Sequence, residues 1–174
     1  MHVTPDSVTA ERDRLRDRAS VVVPLLNDTR AALAEMFETE VASVTEAQYR
    51  REIDLLFADG DRAVNVAALA GLLRELDVEG DYPGFVVDEL LGRQLAATIA
   101  GEQPLALLAE ATFHFADTRS HGDDGDPAGV DDLDAALAAG IQTRLPGWSW
   151  RERESPFAVD PADTGRDDSD STER

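Results

Sequence analysis

Glu110, His114, Asp117 and His121 fall at i, i+4, i+7 and i+11. On an α-helix all four would project within about 60° of one another. Imidazole and carboxylate are the usual ligands for zinc, iron or manganese, and i, i+4 spacing can set two of them on one ion. Facing helices of carboxylate-bridged bundles supply ligands in this way. The same spacing also describes the solvent face of an amphipathic helix whose other side carries Leu105, Leu108, Ala111, Thr112, Phe115 and Ala116. Solvent face is the expected role, with a metal site as the alternative. The run Asp123-Asp124-Gly125-Asp126 lacks the spacing and terminal Glu of a calcium loop.

A second set of polar residues interrupts apolar helix faces. Between Arg62 and Arg74 there is no charge; Val66, Leu69, Leu72, Leu73 and Leu76 project to one side, and Ala63, Ala67, Ala70 and Gly71 to another. Asn65 falls within the leucine face and Arg62 on its edge. Gln94 and Thr98 fall within the arc of Val86, Val87, Leu90, Leu91 and Leu95. A buried polar group left unpaired costs about 1–3 kcal/mol. These four are therefore expected to fix helix register through hydrogen bonds or, alternatively, to line a ligand pocket. Trp148 and Trp150, with Phe157 beyond them, are expected to seal one end of the fold or to anchor a partner. The chain contains no cysteine, which removes thiolate nucleophiles, disulfides and Cys-ligated metals. It also has no Gly-x-Ser-x-Gly and no phosphate-cradling glycine loop. No catalytic residue and no cofactor are assigned.

The elements that position these residues read as helices. Thr4-Pro5-Asp6 starts a helix, and Pro24 is expected to interrupt it before a second stretch from Leu25 to about Val41. Thr45-Glu46-Ala47-Gln48 is a capping box opening a third helix to Ala58. Asp61 caps a fourth, Arg62 to Leu76, whose two apolar faces predict a place in the middle of the bundle. After the turn cluster Gly80–Gly84 come helices Phe85 to Ala100, Pro104 to Arg119 and, past a loop at Gly122–Pro127, Asp131 to Leu145. Aromatics are only 6 %, while alanine is abundant, which favours helices packed through small residues over a β-sandwich. The expected fold is all-α: one bundle of six or seven helices over residues 1–150, then an acidic, disordered tail over 151–174.

Two stretches resemble the trans-isoprenyl diphosphate synthases, an all-α family. Gly60-Asp61-Arg62-Ala63-Val64-Asn65 resembles the family's Gly-Lys-Arg-x-Arg-Pro segment, and Ala97-Thr98-Ile99-Ala100-Gly101-Glu102 its apolar helix ending in Gly-Asp. Of the first motif's basic residues only Arg62 matches, and the Asp-Asp-x-x-Asp motif that holds magnesium and diphosphate is absent. The resemblance implies the helical fold and an apolar prenyl pocket, without the catalysis.

All sixteen basic residues are arginine, against thirty-six aspartates and glutamates, for a net charge of −20. Such a chain repels itself at ordinary ionic strength but tolerates molar salt, where the screening length falls to about 3 Å. Arginine keeps a cation that pairs well with carboxylates. The expectation is the salt-rich cytoplasm of a halophilic archaeon. An acidic surface excludes nucleic-acid partners. The segment Ala63–Leu73, the longest uncharged run, is short of the about 20 residues that cross a bilayer, and Met1–Asp6, lacking the basic-then-apolar pattern, is not expected to be a signal peptide. A protein partner, a homodimer or an apolar small molecule remain as partner classes. The leading reading is a non-catalytic binding, accessory or regulatory protein; the alternatives are a degenerate isoprenoid-synthase-like protein and a metal-dependent helical-bundle enzyme.

Overall fold

The computed structural model describes residues 1–76, 86–120 and 127–152. The turn cluster Gly80–Gly84, the loop Gly122–Asp126, His121, Phe157 and almost all of the expected acidic tail lie outside the described residues. The described residues are all-α: α1 Pro5–Asp17, α2 Ala19–Met36, α3 Glu46–Ala58, α4 Gly60–Glu75, α5 Val87–Ala100, α6 Leu105–Asp117, α7 Ala128–Arg144 and the single turn α8 Ser149–Glu152. That last turn runs two residues past the expected domain end at 150.

Local chemistry sets the starts. Thr4 and Ser7 form a reciprocal capping box on α1, and Thr45 and Gln48 form one on α3. Asp59, two residues before the expected Asp61, caps α4 by accepting from the Arg62 N–H. The first break falls at Arg18, whereas Pro24 was expected to make it: Pro24 sits exposed inside an unbroken α2. Two contacts explain the difference. Val22, Val23, Leu25 and Leu26 are all buried, so α2 must stay continuous to keep them on one face. Arg18 forks onto Asp134 of α7, with both bonds at 2.5 Å, and this pins the turn between α1 and α2.

The centre of the bundle is α7 rather than α4. It packs on α5, α6, α2 and α4, and from Asp132 to Thr143 every residue is buried. By contrast α4 is peripheral, with Val64, Asn65 and Leu72 exposed and only Ala63, Val66, Ala67, Ala70, Gly71 and Leu73 buried. Its uncharged run reflects one packed face plus exposed aliphatics. Helix α7 can be enclosed because Ala135, Ala136, Ala138, Ala139 and Gly140 let neighbours come close. At Gly140 a Cβ would meet Ile99 Cβ at 2.7 Å and the Ala96 carbonyl at 2.9 Å. The contact of Gly140 with Ile99, and that of Gly92 with the Asp132 carbonyl, show that α5 and α7 run parallel. With only residues 101–104 between α5 and α6, the approach of Phe113, late in α6, to Gly92, early in α5, sets α6 antiparallel to both.

Ion pairs join the outer helices to one another and to this centre. Glu11, 3 % exposed, bridges Arg14 and Arg74, while Arg144 of α7 pairs with Glu52 of α3 at 3.2 Å. Screening by salt acts mainly on exposed pairs, so these persist in brine. No described helix is long and apolar enough to cross a membrane. Gly140→Ala is expected to lower stability by about 1–3 kcal/mol in urea unfolding followed by circular dichroism, because backbone of α5 blocks the added methyl; an unchanged midpoint would contradict the close α5–α7 approach.

Candidate functional site

Two polar regions sit at opposite ends of the α5–α7 pair. The acidic end gathers first turns: Asp88 and Glu89 begin α5, Asp131 and Asp132 begin α7, and Asp117 ends α6. Carboxylates at helix N-termini are favoured by the macrodipole. Asp132 nevertheless is only 7 % exposed, and its carboxyl is pushed up to about 7. Loss of solvation is the main cause, followed by the negative charges of Asp117, Asp88, Asp131 and Glu89. Asp117 is also shifted upward by burial, with His114 partly offsetting it.

This geometry divides the histidine–carboxylate stripe. Glu110 and Asp117 are half-buried, His114 is exposed, and His121 lies outside the described residues. The buried face of α6 is Ala106, Ala109, Thr112, Phe113 and Ala116. It is rotated from the expected apolar side because Phe113, instead of Phe115, enters the core. Asp117 therefore borders the packed face. Among the described residues, no three His, Asp or Glu side chains are grouped to hold a metal.

The expected polar pocket between α4 and α5 is likewise redistributed. Asn65 and Gln94 are exposed. Thr98, half-buried, donates to the Gln94 carbonyl at 2.7 Å and accepts from its amide at 3.5 Å. Arg62 pairs with Asp59 at 3.5 Å and lies against Gly101, the C-cap of α5. Thus Gln94 joins Thr98, Arg62 joins Gly101, and Asn65 stands apart on the surface.

The opposite end is organised by Arg30 of α2, a residue that the sequence pattern did not single out. It is only 2 % exposed. Its Nε donates to the Ala42 carbonyl at 3.1 Å, Nη1 to the Gln142 carbonyl at 3.3 Å, and Nη2 to the Pro146 carbonyl. The guanidinium also lies 5.1 Å from the centre of the Trp148 ring. Gln142 belongs to the last turn of α7, so this cation sits where the helix dipole is negative. Desolvation lowers the pKa of Arg30, but an arginine remains charged at any working pH. Among the described residues, no carboxylate lies within ion-pair distance of it.

Trp148 was expected either to close the fold or to anchor a partner. It is fully buried against Leu33, Ala34 and the half-buried Val41, and its indole N–H donates to the Gln142 carbonyl at 3.0 Å. It therefore closes the fold and offers no exposed anchor; the Trp150 side chain lies outside the described residues. Nearby, Thr29 Oγ1 and both side-chain polar atoms of Gln142 are buried without a hydrogen-bond partner among the described residues. Beside Arg30 an open recess of about 270 Å³ is walled by Ser43, Val44, Gln48, Leu145 and Pro146.

Residues 1–161 match the model of a family described as Domain of unknown function (DUF7984), and the chain belongs to that family. No curated protein and no solved structure matches it.

The raised Asp132 carboxyl has a definite sign. Its folded pKa lies above the ordinary value near 3.9, so the folded state binds the proton more tightly. Stability from this group is full below about pH 4 and is lost as pH rises through about 7. Asp132→Asn is expected to gain on the order of 1–3 kcal/mol over the parent at pH 8 and much less at pH 5, in urea unfolding at fixed salt. An equal effect at both pH values would sink the assignment.

Proposed function

We propose that the chain is a non-catalytic binding protein of a haloarchaeal cytoplasm, an accessory or regulatory module. One observation carries the binding role: a deeply buried guanidinium, hydrogen-bonded only to carbonyls and paired with no carboxylate among the described residues, lines an open recess. A cation fixed in place without an anion is a preorganised half of a recognition site. The habitat reading is supported by the lysine-free, acid-heavy composition and by the way the arginines are used. Arg16–Asp54, Arg18–Asp134, Arg74–Glu11 and Arg144–Glu52 each join separate helices. The acidic coat supports a partner that is a protein, a second copy of the chain or a small molecule, and disfavours nucleic acid.

A second reading, a degenerate isoprenoid-synthase-like protein that binds a prenyl or other apolar ligand, is favoured by one contact. Arg62 and Gly101, from the two stretches that resemble that family, meet in space. Stoichiometric binding of farnesol in molar salt would favour this reading over the first.

Native mass spectrometry of protein isolated from its own host in molar salt is expected to show a stoichiometric non-covalent adduct. A bare monomer that turns over a substrate would overturn the proposal. Helicity at 222 nm is expected to fall as potassium chloride is lowered from about 3 M to about 0.1 M, because the charge of −20 loses its screening. Full helicity in dilute buffer would contradict the halophilic reading.

A further inference from the structure

We propose that the recess beside Arg30 binds a small monocarboxylate with a short apolar body. The proposal rests on the binding role argued above and names the ligand class of that site.

The donor inventory points to a carboxylate. A guanidinium has five N–H donors. Three of those on Arg30 go to the carbonyls of Ala42, Gln142 and Pro146, which leaves two donors and the positive charge without an anion among the described residues. Gln48 also lines the recess, and its carbonyl oxygen is already taken by the N–H and hydroxyl of Thr45. Its amide nitrogen is therefore the group left to bond a ligand. The exposed Ser43 hydroxyl completes the polar wall. These groups chiefly donate, and an ionised carboxylate only accepts. A cation would be repelled, and a neutral amide, though its carbonyl can accept, would leave the positive charge unmatched.

Shape and field limit the rest of the ligand. Val44, Leu145 and Pro146 supply apolar wall for a short hydrocarbon body. At about 270 Å³ the space is just below the usual range of ligand pockets, about 300–1,000 Å³, and is small for a nucleotide. One local cation matches a single negative charge, and a second charge on the ligand would be left without a partner beside it. Gly147 helps keep the recess as it is. Its φ of +99° favours glycine, and a Cβ there would stand 3.4 Å from both Arg30 Nη2 and Val41 Cγ1.

Saturation-transfer NMR with butyrate on the full chain in 2 M potassium chloride tests the site. Butyrate is expected to show saturable binding, and butyramide, its neutral isostere, to bind at least tenfold more weakly. Ser43→Trp places an indole at the exposed rim without altering a buried residue and is expected to abolish the butyrate signal while helicity stays at the parent level. Arg30→Gln removes the carbonyl clasp that the fold itself uses, so Ser43→Trp is the deciding variant. Absent butyrate binding, equal binding of butyramide, or undiminished binding to Ser43→Trp would each overturn the proposal. Chloride-35 line broadening that Ser43→Trp removes, with no butyrate signal, would make the ligand chloride and overturn the carboxylate assignment. A stoichiometric adduct in host-derived protein alongside any of these failures would leave the broader binding role standing and remove only this ligand class.

Discussion

The enclosure of α7 is the constraint on which the rest of the molecule depends. A helix buried from Asp132 to Thr143 has no solvent face, so neighbours must cover every side of it. Large side chains on both partners would hold those neighbours apart, and the alanines with Gly140 remove that obstacle. The ring of α5, α6, α2 and α4 follows from this. Leu133, Leu137 and Ile141 then fill the gaps that the small residues leave. Because α5 runs parallel to α7, their N-termini fall at one end and their C-termini at the other. That shared direction sorts the charges: carboxylates of Asp88, Glu89 and Asp131 at the positive end, and Arg144 and Arg30 at the negative end.

With no lysine available, arginine has to do two things: neutralise carboxylates and satisfy carbonyls at helix ends. Arg144 does both, pairing with Glu52 and donating to the Ile99 carbonyl at 3.2 Å near the end of α5. Arg16 pairs with Asp54 while reaching the Arg50 carbonyl inside α3. A planar fork with five donors allows this division, whereas a single ammonium has no second arm. Arg30 is the extreme member of the set, spending its described bonds entirely on carbonyls. Partial charges from three carbonyls orient a cation well, yet they do not sum to the full charge of an anion. That residue of positive potential distinguishes its recess from the carboxylate-rich surface.

Much of the fold was legible in the sequence. The capping box at Thr45 fixed the start of α3, and the turn at Asp59-Gly60 separated α3 from α4, because both signals depend on neighbouring residues only. What could not be read depended on tertiary partners. The break at Arg18 requires Asp134, which is 116 positions away. Helix α4 looked central because its uncharged run shows no boundary between packed and exposed aliphatics. Helix α7 hid its centrality behind Asp131, Asp132 and Asp134, which look like a solvent face until Arg18 is found on the last and burial on the second. Rotation of α6 to bury Phe113 is equally invisible, since Phe113 and Phe115 are both plausible core residues by spacing. Arg30 escaped notice because Asn27-Asp28-Thr29-Arg30 reads as a polar surface turn of the helix.

The seam between α2 and α7 departs from the rules that govern the other interfaces. Elsewhere, apart from the buried Asp132 carboxyl, the described contacts of α7 are mainly apolar or, as with Arg18–Asp134, paired. Here Thr29 and Gln142 hold buried polar atoms without partners, and Arg30 is a buried charge without a counter-ion among the described residues. Each departure costs stability, and apolar residues of similar size could have replaced them. The same seam is tied down by Trp148 and by three Arg30 bonds, so it is rigid as well as costly. A loosely packed polar seam would suggest only tolerance of surface drift. Polar groups held rigidly, left unsatisfied and placed beside an open recess are what a preorganised binding site requires, since rigidity before binding reduces the entropy lost when a ligand arrives.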